Sequence, residues 1–399
     1  MKNKCKFICI AGKNDIAVDV LNYIFYRKYE NIQIGIVCNK TESGIDRWQK
    51  SLRKCAKQLG VREYELDEMY IIDNLLFVSL EFDQIIKPER FRNARLYNIH
   101  FSLLPAYKGM YTSAIPILNG EKETGVTLHC IDSGIDTGDI IEQRKFRIRK
   151  DYRARDVYSL YIKYGTKVVI DNIDKLIDNA IVAQRQLAEG STYYSKKAIN
   201  YSQLRIDLLQ TAENISNQLR AFNFREYQLP IVYGKVIIDS KILDKKTPGR
   251  VGDIIDENRC GMCISTIDYD IFLFYDRFAE LLEACRIGDL LVVREICQVS
   301  RHINEKNEKG WSPIIVATYN GHLSIVEYLI SVGADIYDKN YNGTNLLMYA
   351  KEYFLTSGDS RLLTMYLNMG VSISETDNKG YNFIDYLERA GYALDDFIE

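Results

Sequence analysis

Histidine is scarce in this chain, with four among 399 residues, so any imidazole chemistry has to be drawn from His100, His129, His302 or His322. An excess of one charge is missing too. Lysine and arginine number 52 against 54 acids, for a formal charge of -2, and the signs are interspersed. A chain without a basic face is a poor partner for phosphate backbones, which disfavours nucleic acid. No apolar run is long enough to span a bilayer, and the stretch 7–11 behind the N-terminal lysines is too brief for a signal sequence. A soluble cytoplasmic protein with no membrane partner is the expectation. The nine cysteines lack the dense, even spacing of a secreted disulfide scaffold, so reduced thiols are expected. Cys260 and Cys263 form a CxxC, but no second CxxC or histidine pair completes a tetrahedral set, and no metal is expected. The loop 12–15 holds one glycine rather than GxGxxG, which gives a bound dinucleotide no support.

What is present first is alternation. Apolar runs at 6–11, 32–37, 75–80 and 95–100 are separated by helical patterns at 16–25 and 48–59 and a short helix at 88–91. This is the logic of a mostly parallel sheet covered by helices, whose sites gather at the carboxyl ends of strands. Two further strands, 124–131 and 140–148, flank a glycine-bent loop, and the spacing over 156–183 predicts one long helix. A polar connection at 190–200 closes this part. The segment 201–275 mixes a helix at 211–221 with β-like runs at 231–243 and 262–274, as a small α+β or barrel-like module does. After it Gly310-Trp311-Ser312-Pro313 opens a unit that passes through Asn320-Gly321-His322 and reopens at Gly343 after 33 residues, the ankyrin period. A looser copy occupies 281–307, a copy stretched around Ser357-Gly358 follows, and Gly380 begins a degenerate cap. Three domains are expected: 1–190, 196–275 and 276–399.

The chemistry is concentrated in two stretches, YNIHFSLLPAYKG over 97–109 and TGVTLHCIDSGIDTGDII over 124–141. Asn98 and His100 lie two apart at a strand end, so a carboxamide and an imidazole point to one face. Asp132 and Asp136 ride on the glycine-bent loop, and a carboxylate beside an imidazole favours its cation and fixes its tautomer. Asn, His and Asp without a nucleophilic Ser or Cys suggest acyl transfer that proceeds through no covalent enzyme intermediate. Taken singly, each residue also has a structural explanation as a turn cap, a buried histidine or an Asx-turn. His129 reads as a structural or supporting histidine.

NxHxSLLPxYKG followed by DxGxDTGxII resembles the folate-dependent formyltransferases, over roughly the first half of the chain. The resemblance implies a Rossmann-like domain, 10-formyl-tetrahydrofolate as formyl donor, no metal, and Asn98, His100 and Asp136 as the catalytic trio. It implies that Asn98 and His100 stabilise the oxyanion while Asp136 orients His100. It places the folate cleft along 79–82 and 128–132, with Ser79, Phe82, Ile85, Leu103 and Asp132 as contacts, although core packing explains the apolar three nearly as well. The region 219–230 resembles the second domain of sugar N-formyltransferases, and an ankyrin-like tail resembles a smaller branch acting on dTDP-linked amino-dideoxy sugars. That branch implies dTDP-3-amino-3,6-dideoxyglucose as acceptor, the 4-amino isomer next, in surface polysaccharide (O-antigen) biosynthesis. Lys13 and Asn14 are then candidates for the pyrophosphate and Arg225 and Tyr227 for the nucleotide, with a charged loop and a packed domain junction as the respective alternatives. Trp311, Tyr319 and Asn320 form a candidate ligand face on the repeats, open to a second ligand, a protein partner or a homodimer contact. The competing class is a binding protein whose catalytic half is retired.

Overall fold

A computed structural model of the protein describes residues 4–298 and 302–397. They fall into two units, one running to Asp256 and including Cys263–Leu273, the other made of Glu257–Met262 and the chain from Phe274 onward. Among the described residues no helix is long and apolar enough to cross a membrane.

The first unit opens with β1 (Phe7–Gly12), α1 (Asn14–Arg27), β2 (Gln33–Cys38), α2 (Leu52–Leu59), β3 (Arg62–Glu63), α3 (Leu66–Met69), β4 (Asp73–Leu80) and β5 (Asn93–His100). It continues through β6 (Lys108–Gly109), α4 (Ile115–Leu118), β7 (Glu123–Cys130), β8 (Ile140–Arg147), α5 (Ala154–Ile177) and β9 (Tyr193–Tyr194). Seven strands form one sheet in the order β3-β2-β1-β4-β5-β7-β8, parallel as far as β5 and antiparallel across β5/β7 and β7/β8. All six residues of β1 are buried, as a strand covered on both faces requires. Its side chains alternate between two cores. Ile8 and Ile10 join α1 and α5 on one face, while Phe7, Cys9 and Ala11 join Met69 and Tyr70 on the other.

The long helix stops at Ile177, short of the expected 183. Asn179 takes a left-handed φ of 51°, and Ala180 N donates to Lys175 O at 2.8 Å, a Schellman stop that apolar spacing does not reveal. Beyond it α6 (Ala212–Ala221) accompanies a five-stranded, barrel-like sheet ordered β10-β11-β14-β13-β12, formed by β10 (Ile231–Val232), β11 (Lys235–Ile242), β12 (Ile254–Asn258), β13 (Gly261–Ser265) and β14 (Asp270–Tyr275). Each expected β-run there is two strands. Tyr233 and Gly234, both with positive φ, turn the first run back on itself between β10 and β11.

The second unit carries α7 (Phe278–Ile287), α8 (Leu290–Cys297), α9 (Pro313–Tyr319), α10 (Leu323–Ser331), α11 (Leu346–Ser357), α12 (Arg361–Asn368) and α13 (Phe383–Arg389). These are the expected ankyrin repeats. Residues 299–301, inside the looser first copy, lie outside the described residues. One turn recurs three times: the side-chain oxygen of Asn307, of Asn340 and of Asp377 accepts two backbone N–H groups from the residues just beyond it. His322 has the packing role expected of a Gly-His pair, its Nε2 lying 3.0 Å from Arg286 O and its ring against Gly288.

Candidate active site

The sheet changes from parallel to antiparallel at β5/β7, and that change builds the site. Asn98 on β5 lies directly opposite His129 on β7, close enough for cross-strand side chains to meet. His129 Nδ1 lies 2.7 Å from Cys130 O, an acceptor, so Nδ1 carries the hydrogen and Nε2 holds a lone pair. Asn98 Nδ2 donates to that lone pair at 3.1 Å. One amide hydrogen of Asn98 is thereby fixed and the other is left for a ligand. The His129 side chain is 3% exposed. Burial pushes its pKa from 6.5 down to about 4, against the opposing pull of Asp136, so it is neutral at pH 7.

His100 is fixed by its other neighbour. Its Nε2 lies 2.8 Å from the Tyr107 carbonyl and so donates to it, and its Nδ1 faces Asp136 Oδ2 at 3.5 Å. Nδ1 is therefore the ring nitrogen left facing the carboxylate. Asp136 holds a left-handed φ of 56°, Gly109 N donates to its Oδ2 at 2.9 Å, and Gln186 Nε2 ties its carbonyl at 2.8 Å and that of Gly138 at 2.7 Å. Gly138 has no alternative at its position, because a Cβ there would stand 1.8 Å from Cys130 O. The SLLP segment is pinned from below: Thr127 Oγ1 donates to Ser102 O at 2.7 Å and accepts from Leu104 N at 3.1 Å, while Gln143 Nε2 donates to Leu104 O at 2.8 Å.

Asn98, His100, Gly109, His129 and Asp136 line a cavity of about 750 Å³. Asn98, His100 and Asp136 meet there, as do Lys13, Ser79, Phe82, Ile85 and Asp132. One oxygen of Asp132, Oδ1, accepts from Gly134 N at 3.0 Å and Thr137 Oγ1 at 2.6 Å, which shapes the loop. Leu103 is not on the wall, since its side chain fills the slot left by Gly125 on β7. Asn14 is also off the wall: its amide donates to Glu81 Oε2 at 3.1 Å and to Tyr158 Oη at 3.0 Å. Arg225 and Tyr227 do not line the cavity either, and the Tyr227 ring packs on Trp48 and Phe224 at 5.6 and 4.8 Å. On the repeats Trp311 and Tyr319 do meet, at 5.5 Å, and Tyr349 joins both. Asn320 instead turns its amide back onto Val316 O at 2.8 Å. Gln186 escaped the sequence reading, and Glu81 and Gly109, although inside the 79–82 wall and the 97–109 motif, were given no task of their own, because each acts through a contact that no local spacing encodes.

Residues 72–173 match the formyl transferase family model, and 281–376 match a model of three ankyrin repeats. Among solved structures, the N-formyltransferase from Helicobacter canadensis, in complex with folinic acid and dTDP-3-aminofucose, is 41% identical with a TM-score of 0.63. That match covers 68% of this chain and 100% of the other. WlaRD, a sugar 3N-formyl transferase solved in the presence of dTDP and 5-N-formyl-THF, is 46% identical with a TM-score of 0.63, covering 67% of this chain and 97% of its own. A methionyl-tRNA formyltransferase of Clostridioides difficile is 28% identical over 276 residues, 65% of this chain and 88% of that protein.

Proposed function

Because this chain belongs to the N-formyltransferase family, we propose that it transfers the formyl group of 10-formyl-tetrahydrofolate to the amine of a dTDP-linked amino-dideoxy sugar, with dTDP-3-amino-3,6-dideoxyglucose as the preferred acceptor. The observation that carries the reading is the convergence of an oriented carboxamide and a proton-handling His–Asp pair at the head of one cavity. The acceptor class is supported by identities of 41% and 46% to proteins solved with dTDP or a dTDP-aminosugar, against 28% to the tRNA enzyme. A net charge of -2 also suits a small acceptor better than a tRNA. The 4-amino isomer is the alternative acceptor. Surface polysaccharide synthesis in the cytoplasm is the setting we propose.

The cavity fits the donor. Phe82, Ile86 and Ile131 make an apolar wall, and Ile85 stands 74% exposed on it, a placement that a flat heteroaromatic ring would cover. When bound, the donor supplies a formyl carbon on an activated nitrogen. Asn98 directs its remaining amide hydrogen at the formyl oxygen, where negative charge develops as the amine attacks, and one such donor is worth about 3–4 kcal/mol. His100 receives the amine proton at Nδ1, because Nε2 is held by Tyr107 O, and returns it to the departing folate nitrogen as the formyl carbon's bond to that nitrogen breaks. Asp136 stabilises the resulting imidazolium. This divides the labour differently from the expectation that Asn98 and His100 both face the oxyanion. Lys13, on the loop after β1, is the residue we assign to the pyrophosphate.

For the repeats, we assign Trp311 and Tyr319, with Asn320 beside them, as the face that takes a planar or sugar-like ligand; the buried Tyr349 ring backs both aromatics from the core. Steady-state kinetics with 10-formyl-tetrahydrofolate and the 3-amino and 4-amino dTDP sugars tests the function. Turnover of methionyl-tRNA but of neither sugar would reject it, as would no turnover of any acceptor.

A further inference from the structure

Glu81 follows β4 and lines the cavity, yet the chemistry just described gives it no task. Its φ of 57° is left-handed, a strained setting for a residue with a long side chain. Asn39 holds the strain in place: its Nδ2 donates to Glu81 O at 2.8 Å, and its Oδ1 accepts from Asp83 N at 3.3 Å. The Tyr158 hydroxyl donates to the Glu81 carboxylate, at 2.8 and 3.0 Å from its two oxygens, and Asn14 Nδ2 donates at 3.1 Å. Asn14, itself at φ 65°, gives its second amide hydrogen to Tyr158 Oη at 3.0 Å, which closes a triangle. Two donors thus serve a group with about four lone-pair sites, so the carboxylate retains capacity to accept from a ligand. Burial raises its pKa, with Tyr158, Lys13 and Asn14 pulling the other way.

Position says which part of a ligand it meets. Leu80 pairs with Gly12 on one side and with Ile99 on the other, so Lys13 and Glu81 follow the ends of β1 and β4 and His100 ends β5, on three adjacent strands about 4.8 Å apart. Glu81 therefore stands midway between the group assigned to the pyrophosphate and the group assigned to the amine. What separates those two ends of the acceptor is the hexose ring.

We propose that Glu81 recognises that ring, its carboxylate accepting a hydrogen bond from a hydroxyl on a carbon next to the amine-bearing one, with Asn14 and Tyr158 as the residues that position it. The assignment rests on the acceptor class proposed above. The test begins with the wild-type protein and a series of dTDP-aminosugar analogues that each lack one ring hydroxyl. One analogue is expected to lose about 10- to 100-fold in kcat/KM, the scale of a hydrogen bond to a charged group. Glu81→Gln should lose a similar factor on the parent sugar, lose nothing further on that one analogue, and keep the parental KM for the formyl donor. Tyr158→Phe should lose less than Glu81→Gln and show the same selectivity. Acceptance of every deoxy analogue as readily as the parent sugar overturns the proposal, even if the variants do not fold. An equal loss by Glu81→Gln on the parent and on the critical analogue also overturns it. Wild-type protein that formylates no nucleotide-linked aminosugar gives a distinct result, which removes the acceptor class and the Glu81 assignment together.

Discussion

Replacing His129 with glutamine and, separately, with leucine divides two tasks that the imidazole performs at once. The first task is electrostatic. Burial lowers the His129 pKa from 6.5 to about 4, so the unfolded chain takes up a proton over this range more readily than the folded one. Stability from this residue is complete above pH 6.5 and is lost as the pH falls toward 4. At about 1.4 kcal/mol per pH unit, the loss between pH 7 and pH 5 is about 2 kcal/mol. The two tryptophans make the measurement specific to one unit. Trp48 packs on Tyr158, Phe224 and Tyr227 in the first unit, and Trp311 belongs to the second. In a Trp311→Phe background, urea titrations followed by Trp48 fluorescence should show His129→Gln flatter than its parent by about 2 kcal/mol between the two pH values. The second task is positional. A glutamine oxygen can still accept from Asn98, whereas leucine leaves that partly buried amide hydrogen without its partner, at a cost of about 1 kcal/mol. His129→Leu should accordingly lose kcat by about 10- to 100-fold, and His129→Gln by much less. Equal pH dependence in parent and glutamine variant would refute the assignment of a neutral, buried His129. Equal kcat in the two variants would refute its role in aiming Asn98.

Two further outcomes follow from the geometry. His100→Asn and Asp136→Asn should each lower kcat by about 10²- to 10⁴-fold with little change in KM, because the proton is handled only as the amine attacks, and stopped-flow folate absorbance reads this directly. Trp311→Ala should abolish any heat of nucleotide-sugar binding by the full-length protein that remains after the catalytic cavity is saturated with a non-reactive analogue; an unchanged residual heat would remove Trp311 from ligand binding.

Much of this was legible before any coordinates. The strand ends and the NxHxSLLPxYKG and DxGxDTGxII stretches place Asn98, His100 and Asp136 around one cavity, because residues two apart on a strand share a face and a glycine-bent loop has few ways to return. The 33-residue period likewise identifies the repeats, whose recurring turns at Asn307, Asn340 and Asp377 are set by local hydrogen bonds. What was not legible depends on partners distant in sequence. Asn14 looked like a phosphate ligand because it opens a helix beside a strand end, yet Glu81 and Tyr158, 67 and 144 residues away, claim its amide. Leu103 looked like a cleft residue until the missing side chain of Gly125 gave it a place to pack. Arg225 and Tyr227 have chemistry that suits a nucleotide, but neither lines the cavity, and the Tyr227 ring packs on Trp48 and Phe224, partners that local spacing does not reveal.

The antiparallel pairing of Asn98 with His129 also sets which changes of length the chain can tolerate. Adding or removing one residue within β7 would rotate every later side chain of the strand to the opposite face, taking His129 away from Asn98 while leaving the strand itself intact. The same change at the exposed residues 119–122, which separate α4 from β7, leaves the buried side chains of α4 and the Gly109 contact with Asp136 where they are. Chains that diverge from this one should therefore differ in length at that turn and keep β7 constant, so that Asn98 and His129 stay opposite one another.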